Sequence, residues 1–310
     1  MLKLVRPDVI VLDLEMPRMD GLSFLRQLMR EDPVPVVVCS GAAGQGSEAA
    51  LQAIDEGAVE VISKPRLGVR EFLEQSGPDL AETVRAAARA RRQPVLLPRP
   101  PCASAPAPLV GGASGGQVVV AIGASTGGPD ALSRILQQMP ADGPPIVIVQ
   151  HMPEGFTAAF AKRLGRMCRL EVKEAETGDA IVPGRALVAP GNRHLRVLGR
   201  PGRLRAEVFE GPTVSRHRPS VDVLLRSVAS AAGASAVGVV LTGMGDDGSA
   251  GLLEMRRAGA ATIAQDEATS VVFGMPRSAI ACGAAREALP LTQIPESILS
   301  LCALQAKAVR

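Results

Sequence analysis

A serine at the crest of a glycine-rich turn, Gly123-Ala124-Ser125-Thr126-Gly127-Gly128, closes the apolar run Val118-Val119-Val120-Ala121-Ile122. Small flanking residues let a buried strand turn sharply into a helix while the hydroxyl stays accessible, the shape of a G-x-S-x-G nucleophile elbow. A nucleophilic serine needs a base, and the chain has 3 histidines, His151, His194 and His217. His151 directly follows the next apolar run, Ile146-Val147-Ile148-Val149-Gln150. In a parallel sheet it would emerge beside Ser125 on the same edge. His194 and His217 lie in Gly/Pro/Arg-rich segments (PGNRHL, SRHRPSVD) that suit a rim or a substrate contact, as do Arg193, Arg196, Arg216 and Arg218. A third apolar run, Val237-Gly238-Val239-Val240-Leu241, leads into Thr242-Gly243-Met244-Gly245-Asp246-Asp247-Gly248. One of the two aspartates can hold an imidazole in its working tautomer, and the other can cap the following helix.

A second constellation lies nearer the N-terminus. The run Val9-Ile10-Val11-Leu12 delivers Asp13, Val36-Val37-Val38-Cys39 delivers Ser40, and Val61-Ile62-Ser63 delivers Lys64. Open α/β sheets place their ligands at the carboxyl ends of their strands. A carboxylate, a hydroxyl and an amine converging there suit phosphoryl transfer to Asp13, with Ser40 and Lys64 holding the phosphoryl oxygens.

The elements that must position these residues alternate. Residues 1–92 read as short buried strands (8–14, 34–39, 60–63) between helices (21–30, 47–56, 71–92), and residues 117–310 repeat the pattern at greater length. Strands are expected at 118–123, 145–150, 236–241 and 261–264, with short β segments around 185–209. Helices are expected at 128–139, 155–168, 220–231, 248–258 and 292–307. Between the blocks, residues 93–116 are rich in Pro, Ala, Gly and Ser with no helical or strand period, the composition of a linker. The expected architecture is α/β, a small parallel-sheet block joined by this linker to a larger, mostly parallel α/β block.

Composition excludes several functions. The 310 residues are 46% hydrophobic and 21% charged, with a net charge of +3 that argues neither for nucleic acid nor for an anionic membrane. Aromatic residues make up 2%, with no Trp or Tyr, so stacking platforms for single-stranded nucleic acid are nearly absent. The 5 cysteines are scattered without a C-x-x-C, which suggests neither a zinc site nor a disulfide framework. No leader pattern and no apolar run of about 18 residues occurs, so direct membrane insertion is not expected and a cytoplasmic setting is the default.

LDLEMPRMDG, the hydroxyl of CSGA and the lysine of SKP resemble the receiver domains of two-component response regulators. The resemblance implies a flavodoxin-like receiver with Asp13 as phosphoacceptor and Ser40 and Lys64 as switch residues. IGASTGG, QHMP, APGNRHL, RPSVDVL, LTGMGDDG and QDEATSVVFGMPRSAI resemble the methylesterase domain of CheB-type chemotaxis protein-glutamate methylesterases. That resemblance implies a doubly wound esterase domain with Ser125 as nucleophile, His151 as general base and acid, and Asp247 as the orienting carboxylate. It sets Met244, with Thr126 at the elbow, on the oxyanion rim. It further implies hydrolysis of glutamyl methyl esters and deamidation of glutamines on methyl-accepting chemotaxis receptors, with no catalytic cofactor. A chemotaxis histidine kinase would be the phosphodonor, and the unphosphorylated receiver would cover the active-site face.

One departure stands out. Receivers carry an acidic pair after their first strand that holds Mg²⁺, whereas 12 residues precede Asp13 here and Asp8 lies on the phosphoacceptor's own strand. The first strand, first helix and second strand of a receiver find no counterpart, which points to an incomplete N-terminus. The chain as it stands is expected to bind Mg²⁺ and accept phosphate poorly. Two rival readings remain at this level. One is a non-catalytic, phosphorylation-dependent interaction module. The other is a nucleotide-binding α/β protein, although G-x-G-x-x-G and a Walker lysine are missing.

Overall fold

A computed structural model describes residues 6–16, 19–41, 45–64, 80–90 and 118–308. The expected linker, 93–116, and the first part of the helix expected over 71–92 lie outside the described residues.

The N-terminal block forms strands β1 (Ile10–Asp13), β4 (Val36–Ser40) and β5 (Glu60–Ser63), with helices α1 (Gly21–Glu31), α2 (Gln45–Asp55) and α3 (80–88). Strands β1, β4 and β5 pair in parallel in that order, so Asp13 lies beside Cys39 and Ser40 beside Ser63. The three polar residues of the first constellation thus reach one sheet edge together. Two short strands absent from the sequence expectation, β2 (Glu15–Met16) and β3 (Met19–Asp20), pair antiparallel after Asp13. Strand β1 is an edge of this sheet, and its Val11 is half exposed.

The larger block is built on seven strands in the order β14-β13-β12-β6-β7-β9-β8. These are β6 (Val119–Ala124), β7 (Ile146–Gln150), β8 (Glu171–Glu174), β9 (Arg185–Val188), β12 (Ala236–Val240), β13 (Ala261–Gln265) and β14 (Glu287–Leu289). Every neighbouring pair in this sheet is parallel. A separate antiparallel ribbon joins β10 (His194–Leu198) to β11 (Arg205–Phe209).

Helices cover both faces, which explains why β6, β7 and β12 are apolar at consecutive positions rather than alternately. Successive side chains of a strand point to opposite faces. Val120, Ile122 and Ala124 join the cluster of α4 (Gly128–Leu136), α5 (Thr157–Met167) and α9 (Ile294–Ala308). Val119 and Ala121 join that of α6 (Val221–Ala232), α7 (Ser249–Arg257) and α8 (Met275–Ala281). Among the cysteines, Cys39, Cys168, Cys282 and Cys302 are free thiols.

Chain order places β6 first, β7 on one side of it and β12 on the other, so the direction of winding reverses beside β6. Such a reversal opens a crevice at the carboxyl ends of the strands. Ser125, His151 and the loop carrying Asp247 emerge at that crevice from β6, β7 and β12.

The N-terminal block packs on this body through α2, which lies against α4 and α5. Arg163 of α5 donates from Nη1 to the Leu51 carbonyl at 3.1 Å and pairs with Asp55. The apolar side chains of the N-terminal block form one continuous cluster with those around α4, α5 and α9.

Helix α6 must approach β6 closely for this arrangement, and Gly123 permits it. A Cβ at Gly123 would stand 2.1 Å from Cγ1 of Val221, the first residue of α6. Gly123→Ala is therefore expected to lower stability by about 1–3 kcal/mol, as overpacked cores do. Val221→Ala in the same chain should recover part of that loss, so urea unfolding of the two single variants and the double variant should show a positive coupling.

Candidate functional site

The elbow is closed by three hydrogen bonds to the backbone of Ser125. Its amide donates to the Thr242 carbonyl at 3.0 Å, and its carbonyl accepts from the Gly128 amide at 2.7 Å. Gln150 Nε2 donates to the Ser125 carbonyl at 3.0 Å and to the His151 carbonyl at 2.9 Å, binding the two loops together. Gly127 is left-handed at φ 77°, and a Cβ there would meet Val271 at 2.6 Å, so only glycine completes this turn. Gly243 is required for a second reason: its Cβ would stand 2.7 Å from that of Ser125.

His151 presents its ring edge-on to Asp247, with Nε2 and Oδ2 2.8 Å apart. The carboxylate accepts three further bonds, from the Val221 amide (2.8 Å), the Asp222 amide (3.0 Å) and the Ser220 hydroxyl (2.8 Å). Burial pushes the Asp247 carboxyl up, but the His151 hydrogen bond and charge, with the amides of Asp222 and Val221, hold it below its ordinary value. An ionised carboxylate only accepts, so Nε2 carries the proton and Nδ1 is the basic nitrogen. That Nδ1 is buried and has no hydrogen-bond partner. Of the two adjacent aspartates, Asp247 is 1% exposed, whereas Asp246 is open to solvent.

His217 stacks on His151, with centroids 3.7 Å apart and planes 18° from parallel. Burial and the neighbouring His151 and Arg216 lower its pKa to about 4 against the opposing pull of Asp247, so it is neutral at pH 7. The ring is delivered by a turn closed by Val214 and His217, which exchange backbone bonds of 3.0 and 2.9 Å. Both central residues, Ser215 (φ 49°) and Arg216 (φ 67°), are left-handed without being glycine. Such strain persists only where the surroundings over-determine it, and the Ser215 hydroxyl is tied to Asp222 Oδ2 at 3.1 Å.

A cavity of about 400 Å³ brings Ser125, Thr126, His151, Met244 and His217 together. The amide of Ser125 is already spent on Thr242. Among the described residues, those of Thr126 and Met244 carry no hydrogen bond and remain able to donate.

The sequence expectation for His194 is corrected. The side chain is 1% exposed, not at a rim. Its Nε2 donates to the Pro212 carbonyl at 2.9 Å and its Nδ1 accepts from the Ser220 amide at 3.2 Å, so it braces the segment that holds Asp247. Sequence reasoning also missed Gln150, Ser220 and Asp222. All three lie inside QHMP and RPSVDVL, next to residues it had singled out.

In the N-terminal block, Lys64 Nζ lies 2.8 Å from Asp13 Oδ1 and 2.8 Å from Glu15 Oε2. Desolvation raises the Asp13 carboxyl, but the Lys64 hydrogen bond and charge with the Glu15 amide together bring it below its ordinary value. Ser40 is buried beside them at the end of β4, and the Lys64 amide donates to its carbonyl at 2.8 Å. Asp13 and Glu15 supply acidic oxygens of the kind Mg²⁺ takes, but among the described residues no group of three His, Cys, Asp or Glu could hold a metal. The residues present do not complete such a site.

The same cavity receives Glu60 of β5, which sequence reasoning left as an ordinary strand residue. It is 8% exposed and borders Thr126. Burial raises its carboxyl to about 7 against hydrogen bonds from the Val61 amide and Thr126.

The family model for CheB methylesterase matches residues 120–298, and that for the response regulator receiver domain matches residues 1–83. The chain is 60% identical over 302 residues to protein-glutamate methylesterase/protein-glutamine glutaminase 1 of Anaeromyxobacter dehalogenans (strain 2CP-C), covering 95% of this chain and 86% of that one. It is 53% identical over 306 residues to protein-glutamate methylesterase/protein-glutamine glutaminase 3 of Geobacter metallireducens (strain ATCC 53774 / DSM 7210 / GS-15), covering 96% and 86%. The crystal structure of the Thermotoga maritima CheB methylesterase catalytic domain superposes with a TM-score of 0.58 at 42% identity, covering 61% of this chain and 99% of that one.

The buried Glu60 gives stability a definite pH dependence. A carboxyl whose folded pKa is raised from 4.5 to about 7 favours the folded state below pH 4.5 and loses that advantage as pH rises to about 7. The full difference is on the order of 3 kcal/mol. Glu60→Gln should therefore be more stable than wild type at pH 8 and nearly equal to it at pH 4. Denaturant melts that show the same gap at both pH values would refute this.

Proposed function

The chain belongs to the CheB methylesterase family and acts as a protein-glutamate methylesterase/protein-glutamine glutaminase, and we propose that Ser125, His151 and Asp247 carry its reaction. The observation that carries this reading is the 2.8 Å bond from His151 Nε2 to Asp247, which leaves Nδ1 without a hydrogen-bond partner on a residue that lines the same cavity as Ser125. In this reading Ser125 Oγ attacks the ester carbonyl and His151 Nδ1 takes its proton. Asp247 stabilises the imidazolium without taking the proton. The amides of Thr126 and Met244 receive the oxyanion. Methanol leaves with the proton from Nδ1. Water, activated by the same nitrogen, then cleaves the acyl-enzyme to glutamate and restores the serine. With a glutamine substrate the leaving group is ammonia and the remaining steps are unchanged.

This cycle uses three side chains, two main-chain amides and water. His217 acts as a positioning residue: its neutral ring stacks on His151 without adding a second positive charge beside the imidazolium. Residues 1–92 form the receiver, 93–116 the linker and 117–310 the catalytic domain. Asp13 is the phosphoacceptor, with Lys64 and Ser40 as its switch partners. The substrates are methyl-accepting chemotaxis receptors, a chemotaxis histidine kinase is the phosphodonor, and the setting is cytoplasmic. No helix among the described residues is long and apolar enough to cross a membrane.

Methanol release from methylated receptor tests the assignment. Ser125→Ala and Asp247→Asn should each lower kcat by about 10⁴-fold, while Asp246→Asn stays near wild type. Equal losses at Asp246 and Asp247 would sink the triad. For the stack, His217→Ala should lower kcat and His217→Phe, which keeps a neutral ring, should recover most of it. A variant pair with identical rates would show that ring stacking contributes nothing.

A further inference from the structure

Four arginines flank the cavity in sequence, and three are engaged within their own domain. Arg193 pairs with Glu210 at 3.4 Å. Arg196 pairs with Glu207 and lies 4.7 Å over the Phe209 ring. Arg218 donates to Asn192 Oδ1 at 2.6 and 3.0 Å and to the Gly211 carbonyl at 2.6 Å. Arg216 differs from them in two respects. Its carboxylate partner is Glu82 of α3, in the N-terminal block, with Nη1 and Oε2 3.9 Å apart. It also occupies the strained turn whose next residue, His217, stacks on the base. The guanidinium is 66% exposed and borders the same cavity as Ser125.

We propose that Arg216 receives a carboxylate of the substrate that neighbours the glutamyl group being hydrolysed, and that Glu82 occupies this subsite in cis. The inference rests on the esterase reading above. The reacting group, an ester or an amide, is uncharged, so a guanidinium at the cavity mouth finds its charge partner in an ionised residue beside it. The substrate class is then a glutamyl methyl ester or glutamine set within an acidic segment. A long, solvent-screened pair such as Arg216–Glu82 is weak enough to be exchanged for such a ligand. Glu60 enters the same cavity beside Thr126, so the N-terminal block brings carboxyl groups to two places that a substrate of this class would fill.

Two peptides test this on the full chain, each bearing one γ-methyl-glutamyl residue and differing only in whether its neighbour is glutamate or glutamine. Arg216→Gly removes the guanidinium while suiting the left-handed backbone, so the turn is retained. It should raise KM for the glutamate-flanked peptide about fivefold, leave kcat within about twofold, and leave the glutamine-flanked peptide unaffected. Arg216→Lys should restore most of the preference, and Glu82→Gln should lower KM for the acidic peptide. An equal effect of Arg216→Gly on both peptides, or a fall in kcat alone, would overturn the proposal. Absence of methanol from both peptides with the wild-type chain would instead overturn the esterase reading on which it rests.

Discussion

The site depends on a buried negative charge, the carboxylate of Asp247, being kept ionised. Removing a carboxylate from water is expensive unless donors surround it. Here His151, two main-chain amides and the Ser220 hydroxyl do so. The two amides belong to the first residues of α6, a helix N-terminus whose unpaired N–H groups and dipole favour an anion. Because the carboxylate is fixed at that terminus, the imidazole has one available orientation, with Nε2 toward Asp247 and Nδ1 away from it. The position of α6 against β6 therefore sets the direction in which Nδ1 of His151 points.

Small residues make that placement geometrically open. Gly123 admits Val221 of α6 to the back of β6, Gly243 admits the Asp247 loop to the serine, and Gly127 turns the elbow. The strained Ser215–Arg216 turn is held from the same helix, through Asp222, whose Oδ1 also accepts from the Gly251 amide at 2.7 Å. One helix terminus thus anchors both the carboxylate under the base and the turn that brings His217 onto it. Disturbing α6 would move both faces of the imidazole environment together.

The sheet and its polar crests were legible because β6, β7 and β12 are buried on both faces and so stand out as unbroken apolar runs ending in polar residues. Strands β8 and β14 were not. Glu171–Glu174 buries only Val172 fully, and Glu287–Leu289 lies at the sheet edge, so neither shows a period. Helix α8 opens with Gly274-Met275-Pro276, which reads as loop until its proline is seen to occupy the first helical turn. Spacing alone left Asp246 and Asp247 equivalent, and burial separates them. His194 looked like a rim residue because its neighbours are polar, yet it is sealed under the segment it braces. Glu60 was invisible because its burial comes from a different domain, which no local pattern can announce.

The described hydrogen bonds that hold Ser125, His151 and Asp247, from Thr242, Gln150, Ser220, Val221 and Asp222, all arise within residues 118–308. The N-terminal block contributes Glu60 and Glu82 to the cavity lining but none of these bonds. It therefore covers a site that is already assembled and does not build it. The block is seated through α2, β5 and α3. Two of the polar contacts in that seat are poor ones: a carboxyl that resists ionising where it lies, and a long, screened ion pair. The firm part is the apolar packing of α2 on α4 and α5 with Arg163 at its edge, away from the reacting atoms. The seat is thus tight where α2 packs and weak where Glu60 and Glu82 line the cavity that holds Ser125.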